Sequence, residues 1–212
     1  MADTPHLIPL EYSNEERRNI VLTNIMKMLI NRKLLNNDLS QIEPQIKKWG
    51  NPIDGVYKIE LDATKDIATT APPSYIIKIL NQKISAINKT SGIIEHLTKY
   101  KKTPNLIVVL EINNKSLVYI NKNFPNTEIF LEHDFMFNIV DNVLVPHHEV
   151  LSKEESEQVM LDYEAKKHHF PKIYVTDKIA RYYNMQIGQI CKILRPSETS
   201  GLVAFYRLVT KA

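Results

Sequence analysis

Three sets of side chains have types and spacings that could do chemistry. Glu60 and Asp62 close one β-prone run, and Glu111 closes another. Acids at the ends of neighbouring strands could hold magnesium for phosphodiester cleavage. Such a site needs a paired acid followed by Glu-x-Lys, so that two metal-binding oxygens face a catalytic ammonium. Here the run is Glu111-Ile112-Asn113, with Asn where the Lys should stand, and acids alternating along a strand are also simply a solvated face. His147-His148 and His168-His169 could each supply one metal ligand at most, because adjacent side chains point in different directions. No His-x-x-x-His or Cys-x-x-Cys spacing joins them, so they read as surface or loop histidines. The single cysteine, Cys191, lies between Ile190 and Lys192 in a β-prone run, where a small thiol is inert packing. Five glycines leave no room for a Gly-rich phosphate loop. No catalytic residue, metal or cofactor is assigned, and the chain is not an enzyme by itself.

The densest group of polar side chains lies instead between Arg195 and Arg207. An apolar run, Ile190 to Leu194, precedes Pro196, and a second, Leu202 to Val209, follows Gly201. Two β-prone runs around a Pro/Ser/Thr/Gly cluster predict a hairpin. Pro196 should end the first strand because it has no N–H for the ladder. Gly201 can supply a positive φ where the second begins. Arg195, Glu198 and Arg207 then sit at the base and tip of a rigid projection. A turn alone does not require them, so the segment reads as a docking surface.

The elements that must position this hairpin follow from local patterns. Ser13 with Glu16 makes a capping box. Val21, Leu22, Ile25, Met28 and Leu29 recur at helical spacing, so a helix is predicted to about Arg32 or Lys33. Pro44 makes a single long helix over 35–50 unfavourable. Alternation predicts a strand over 56–61, with Tyr57, Ile59 and Leu61 on one face, then a loop over 62–73 and a strand from Tyr75 to Leu80. A helix is predicted from Thr90 to Tyr100. The run from Leu106 to Glu111 reads as a strand buried on both faces. Strands interleaved with helices make residues 1–142 an α/β domain. A second, small α+β domain is predicted over 143–212. Its parts are a Ser152–Glu155 capping box, a charged helix turning Val159, Met160 and Tyr163 inward, and a short extended piece over Phe170-Pro171-Lys172-Ile173. A helix capped by Asp177 follows, Asn184 takes a left-handed conformation, and the hairpin comes last.

Composition bounds the partners. The chain has 212 residues, 43% hydrophobic and 24% charged, enough for one or two domains with their own cores. A net charge of +3 suits proximity to nucleic acid or an acidic partner but is low for a dedicated DNA-binding domain. One cysteine excludes an intramolecular disulfide and points to a reducing compartment. No segment has the ~20 apolar residues of a membrane span, and the N-terminus lacks the regions of a secretory signal. An intracellular protein with no membrane partner is expected.

The hairpin and its lead-in resemble the fifth subunit of eukaryotic nuclear RNA polymerases, a family whose short form is the archaeal counterpart of that subunit. The resemblance is carried by Leu144-Val145-Pro146-His147-His148, Phe170-Pro171-Lys172-Ile173, Asp177, Ala180-Arg181-Tyr182, Gly188-Gln189, Lys192 through Gly201, and Tyr206-Arg207. It is looser over the first ~140 residues, where it rests on the opening helix, the Leu106 to Leu110 strand and Glu128 to Asn142. Two departures keep their physical role: Lys178 stands where the family has Pro, and Asn184 where it has Gly. A Thr-Pro-Ser-Ala loop near DNA in the family corresponds to Asn113-Asn114-Lys115-Ser116-Leu117, with the Pro lost and a Lys gained.

The resemblance implies a non-catalytic subunit of a multisubunit DNA-directed RNA polymerase. Residues 143–212 would form an assembly domain anchored on the largest subunit through Pro171, Asp177, Arg181, Tyr182, Arg195, Pro196, Ser197, Glu198, Gly201 and Arg207. Residues 1–142 would form a jaw domain, a restriction-endonuclease-like core without its active site, beside downstream duplex DNA. Lys115 and Ser116 would be the DNA-proximal residues, contacting DNA without reading its sequence, and the chain would not be a homo-oligomer. The Ile, Lys and Asn bias points to a fast-evolving lineage such as a large cytoplasmic DNA virus. The compartment would then be host cytoplasm or virion, and otherwise the nucleus. Two other readings remain: a free-standing DNA-binding or nuclease-like factor, and an adaptor reusing the C-terminal module.

Overall fold

The Ser13–Glu16 capping box forms: Ser13 N–H donates to Glu16 Oε2 at 2.8 Å, and Glu16 N–H returns to Ser13 Oγ at 3.3 Å. It opens α1, Asn14–Asn31, whose Leu22, Ile25, Met26, Met28 and Leu29 are completely buried. In this computed structural model the described residues are 12–35, 40, 42–50, 52, 54–61, 74–85, 87 and 92–211. The expected loop over 62–73, with Asp62, and the expected helix start at Thr90 lie outside them. The chain divides into two compact units, Met1–Lys27 with Leu34–Phe137, and Met28–Lys33 with Asn138–Ala212. The last turn of α1 thus groups with the second unit.

The first unit is built on a mixed four-stranded sheet in the order β1-β2-β3-β4. β1 is Val56–Glu60, β2 Ser74–Ile84, β3 Asn105–Ile112 and β4 Thr127–Leu131. β1 runs antiparallel to β2, and β2, β3 and β4 run parallel. Tyr57 and Ile59 share the buried face of β1. β3 is buried on both faces from Asn105 to Val109, which explains its unbroken apolar run. α2 (Ile42–Trp49), α3 (Ile93–Lys99) and α4 (Asn114–Asn123) complete the unit. Ile93 and Leu97 of α3 and Ile120 of α4 pack with Ile107, Val109 and Ile129 into one core cluster. Gly55 enters β1 at φ +58, and a Cβ there would lie 2.7 Å from the Ile79 carbonyl oxygen.

Several expectations for this unit are corrected. The unfavourable long helix over 35–50 gives way to the short α2, which accommodates Pro44 because in its first turn no intrahelical N–H is needed. β2 continues past Leu80 to Ile84 through a register shift between Leu80 and Lys83, an irregularity no alternation pattern announces. The segment 113–117, expected as a loop, is a cap and a helix start. Asn113 Oδ1 accepts from Lys115 N–H at 3.2 Å and opens α4.

The second unit carries a sheet in the order β5-β7-β8-β6. β5 is His147–Val150, β6 Lys172–Tyr174, β7 Ile190–Ser197 and β8 Gly201–Thr210. α5 (Lys153–Asp162) starts at the expected capping box, with Ser152 N–H to Glu155 Oε2 at 2.7 Å and Glu155 N–H to Ser152 Oγ at 3.1 Å. α6 (Lys178–Tyr182) is capped by Asp177, whose Oδ1 accepts from Ile179 N–H at 2.9 Å. Asn184 is left-handed at φ 50. Two small cores flank the sheet, one around Ile173, Ala180, Met185, Cys191, Ile193 and Val209, the other around Leu151, Phe170 and Ile190.

Here too there are corrections. Tyr163 is exposed rather than turned inward, because α5 ends one residue before it and its ring lies 5.5 Å from that of Tyr206. His148, expected at the surface, is buried in β5, although His147 beside it is exposed. Pro196 does not end β7, which runs on to Ser197. No described helix is long and apolar enough to cross a membrane.

Candidate functional site

The hairpin forms from β7 and β8, paired antiparallel from Ile190↔Leu208 to Ser197↔Gly201. Glu198, Thr199 and Ser200 make the connection, and Gly201 takes φ +69 at re-entry with open space around it. β5 pairs with β7 only as far as Leu194, and β6 pairs with β8 only over Leu208 to Thr210. From Arg195 to Arg207 the hairpin therefore runs beyond both neighbours as a two-stranded arm.

Paired residues of an antiparallel ladder share a face. The register thus places His148, Cys191, Ile193, Arg195, Val203, Phe205 and Arg207 on one face of the sheet. Towards the base this face is core. Towards the tip it is a polar surface, where the Arg195 guanidinium lies 5.4 Å from the centre of the exposed Phe205 ring. Such stacking holds an arginine extended while its hydrogen-bonding edge stays open. Burial pulls the His148 imidazole below its usual pKa, and Arg195 and Arg207 push the same way. The Pro146 carbonyl, 2.6 Å from Nδ1, and the Asp177 carboxylate oppose them. The charges of Asp177, Arg195 and Arg207 all act on one buried histidine. Spacing alone suggests a surface position for that histidine, and its alternation with Val150 on β5 is the only local signal of burial. Burial also pushes the Cys191 thiol up to about 11, which leaves it un-ionised and inert at neutral pH.

The remaining expected interface residues divide by exposure. Pro171, Pro196, Glu198 and Gly201 are exposed, and Ser197 and Arg181 are partly so. Tyr182 is buried. Its hydroxyl accepts from Asn31 Nδ2 at 2.9 Å, and its carbonyl from Arg32 Nε at 2.7 Å. Arg32 Nη2 also donates to the Arg181 carbonyl at 2.9 Å. Tyr182 thus ties the last turn of α1 to α6 within the second unit.

In the first unit, Lys115 and Ser116 line a groove of about 420 Å³ with Ser85, Ile94, Asn113 and Tyr119. Lys115 is exposed at the α4 N-terminus, and Ser116 is buried. The positive end of the helix and an ammonium would both favour an anion there. Of the carboxylates considered for magnesium, Glu60 and Glu111 do not converge. Glu60 pairs with Ser74 at the start of β2, whereas Glu111 lies beside Lys83 near its end. Nine residues at ~3.3 Å each separate those positions by roughly 30 Å. Glu111 instead forms an exposed ion pair with Lys83 at 2.8 Å. Among the described residues no group of three His, Cys, Asp or Glu side chains is placed to hold a metal.

The described residues form a mixed α/β structure with two sheets, the second carrying an arginine-bearing hairpin. Residues 137–209 match the family model described as RNA polymerase Rpb5, C-terminal domain. The chain is 32% identical over 214 residues to DNA-directed RNA polymerase subunit 5 of Acanthamoeba polyphaga mimivirus, covering 99% of this chain and all of that protein. It is 44% identical over 82 residues, 39% of each chain, to subunit RPABC1 of DNA-directed RNA polymerases I, II and III of Caenorhabditis briggsae. It is also 44% identical over 73 residues to subunit Rpo5 of Methanothrix thermoacetophila, covering 34% of this chain and 94% of that protein. The chain belongs to the RNA polymerase subunit 5 family.

Proposed function

We propose that this protein is a non-catalytic subunit of a multisubunit DNA-directed RNA polymerase, working inside the cell in transcription. The observation that carries this reading is the similarity to a viral subunit 5 along the whole length of both chains. Residues 143–212 serve as the assembly domain. Their arm presents Arg195, Glu198 and Arg207 to the largest subunit, with Pro171, Asp177, Arg181, Pro196, Ser197 and Gly201 around them and Tyr182 as buried support. Residues 1–142 serve as a jaw domain flanking downstream duplex DNA, on a restriction-endonuclease-like core without a catalytic centre. The mixed sheet with helices before and between its strands suits that core, and the separated carboxylates suit its inactivity. Lys115, exposed at the α4 N-terminus, meets a DNA phosphate without reading sequence. The virus holding the end-to-end relative supports a viral polymerase acting in host cytoplasm or virion.

The test is affinity purification of the tagged chain from its native source. The largest polymerase subunit should be recovered with it, and Arg195→Ala with Glu198→Ala should reduce that recovery. Undiminished assembly of the double variant would refute the docking assignment. In the assembled polymerase, Lys115→Ala should lower DNA affinity alike on all sequences and reduce the salt slope by about one ion.

A further inference from the structure

The arm has two open edges, and they are not equivalent. In an extended strand, successive backbone N–H and C=O groups point to opposite sides. On β8, Val209 N–H donates to Gln189 O, on the β7 side, and Leu208 N–H donates to Pro171 O, on the β6 side. Leu202, Ala204 and Tyr206 therefore direct their backbone groups to the β6 side. β6 reaches only Leu208 to Thr210, so among the described residues these three have no ladder partner. On β7, Leu151 N–H donates to Ile190 O, so even-numbered residues face β5. Pro196 is one of them, and β5 stops at Leu194. The open edge of β7 thus carries a proline, which has no donor and blocks pairing, as guarded edges do. The open edge of β8 carries three donors and three acceptors with no such guard.

The side chains along that edge indicate what it accepts. Leu202 and Phe205 are exposed, and Val203 is partly so. Arg207 stands on the same face as Phe205, and among the described residues neither it nor Arg195 has a carboxylate partner. A second copy paired antiparallel about Ala204 would set Gly201 opposite Arg207 and give it no acid. We propose that the β8 edge from Leu202 to Tyr206 receives an added β-strand. That strand is an extended segment of another polymerase subunit, apolar along Leu202 to Phe205 and bearing a carboxylate opposite Arg207. Main-chain bonds would supply affinity, and the two faces of the arm specificity. This proposal rests on the reading of the chain as a polymerase subunit.

Amide hydrogen exchange tests it, with the full chain alone and in polymerase purified through it. The amides of Leu202, Ala204 and Tyr206 should exchange quickly in the free chain and at least ~100-fold more slowly in the complex. Ala204→Pro removes a donor facing away from β7, just as Pro196 does facing away from β8, and should weaken incorporation ~100-fold. Ala204→Val keeps the donor and should incorporate normally. If Ala204→Pro fails to fold, the wild-type exchange measurement decides alone. An assembled polymerase in which the three amides exchange as in the free chain overturns strand addition but leaves the subunit reading intact. Normal incorporation of a folded Ala204→Pro does the same. Protection arising in the concentrated chain alone, with a dimer, overturns the assignment to a different subunit. A chain that enters no polymerase overturns the subunit reading and this inference with it.

Discussion

The two units use their sheets in opposite ways. In the first, β3 lies between parallel neighbours and buries both faces from Asn105 to Val109, so those residues serve packing alone. In the second, β7 and β8 outrun their neighbours, so half of the hairpin is exposed on its faces and edges. A doubly buried strand requires apolar side chains but tolerates exchange among Ile, Val and Leu if volume is kept. An arm that docks through Arg, Pro, Ser and Glu in a fixed register, as proposed, would tolerate far less.

Four perturbations would break or sharpen the comparison. The largest effect is expected in the doubly covered core, where Leu97→Ala should cost about 2–5 kcal/mol, read as the loss of unfolding free energy in urea. A cost below ~1 kcal/mol would show that the first unit is less tightly packed than its burial implies. Acid comes next. Burial, helped by Lys78 and Lys99, lowers the His96 pKa from 6.5 to about 4. Above pH 6.5 the folded and unfolded chains are both neutral there. Between 6.5 and about 4 only the unfolded chain takes up the proton, so stability falls as pH drops, by up to about 1.4 kcal/mol per unit. His96→Phe should flatten that slope in a pH series of urea melts.

Arg32→Ala, which removes the bonds to the Tyr182 and Arg181 carbonyls, should destabilise the second unit by about 1–3 kcal/mol. Near-UV circular dichroism from its tyrosines would report the loss. The smallest difference is expected between two glycines of similar φ. Gly55→Ala meets the Ile79 carbonyl and should cost more than Gly201→Ala, which meets only open space and should cost about 1–2 kcal/mol from its backbone conformation. Equal melting temperatures for the two variants would contradict the close approach at Gly55.

Much of this architecture was legible locally. Both capping boxes, the Asp177 cap, the left-handed Asn184, the positive φ of Gly201 and the doubly buried β3 each depend on a few adjacent residues. What escaped depended on distant partners. α2 lies in a stretch of weak periodicity, and Pro44 in its first turn is compatible with so short a helix. α4 was hidden because Asn113 reads equally well as a loop residue. β4, Thr127 to Leu131, is defined by its pairing with β3. His148 looked exposed because nothing nearby in the sequence shows that Ile193 lies across from it.

By itself, then, the sequence determined where α1, α5 and α6 start, which strand is buried on both faces, that the hairpin carries the polar surface, and the family. Those properties rest on local backbone preferences and on side-chain order, which need no distant partner. The tertiary structure alone decided that Arg195 and Arg207 share a sheet face with a buried histidine, and that Glu60 and Glu111 stand too far apart to share a metal. It alone showed that one edge of the arm is closed by proline and the other is open. Each of these depends on register between strands separated in the chain, and register is settled by packing and hydrogen bonding across the whole sheet.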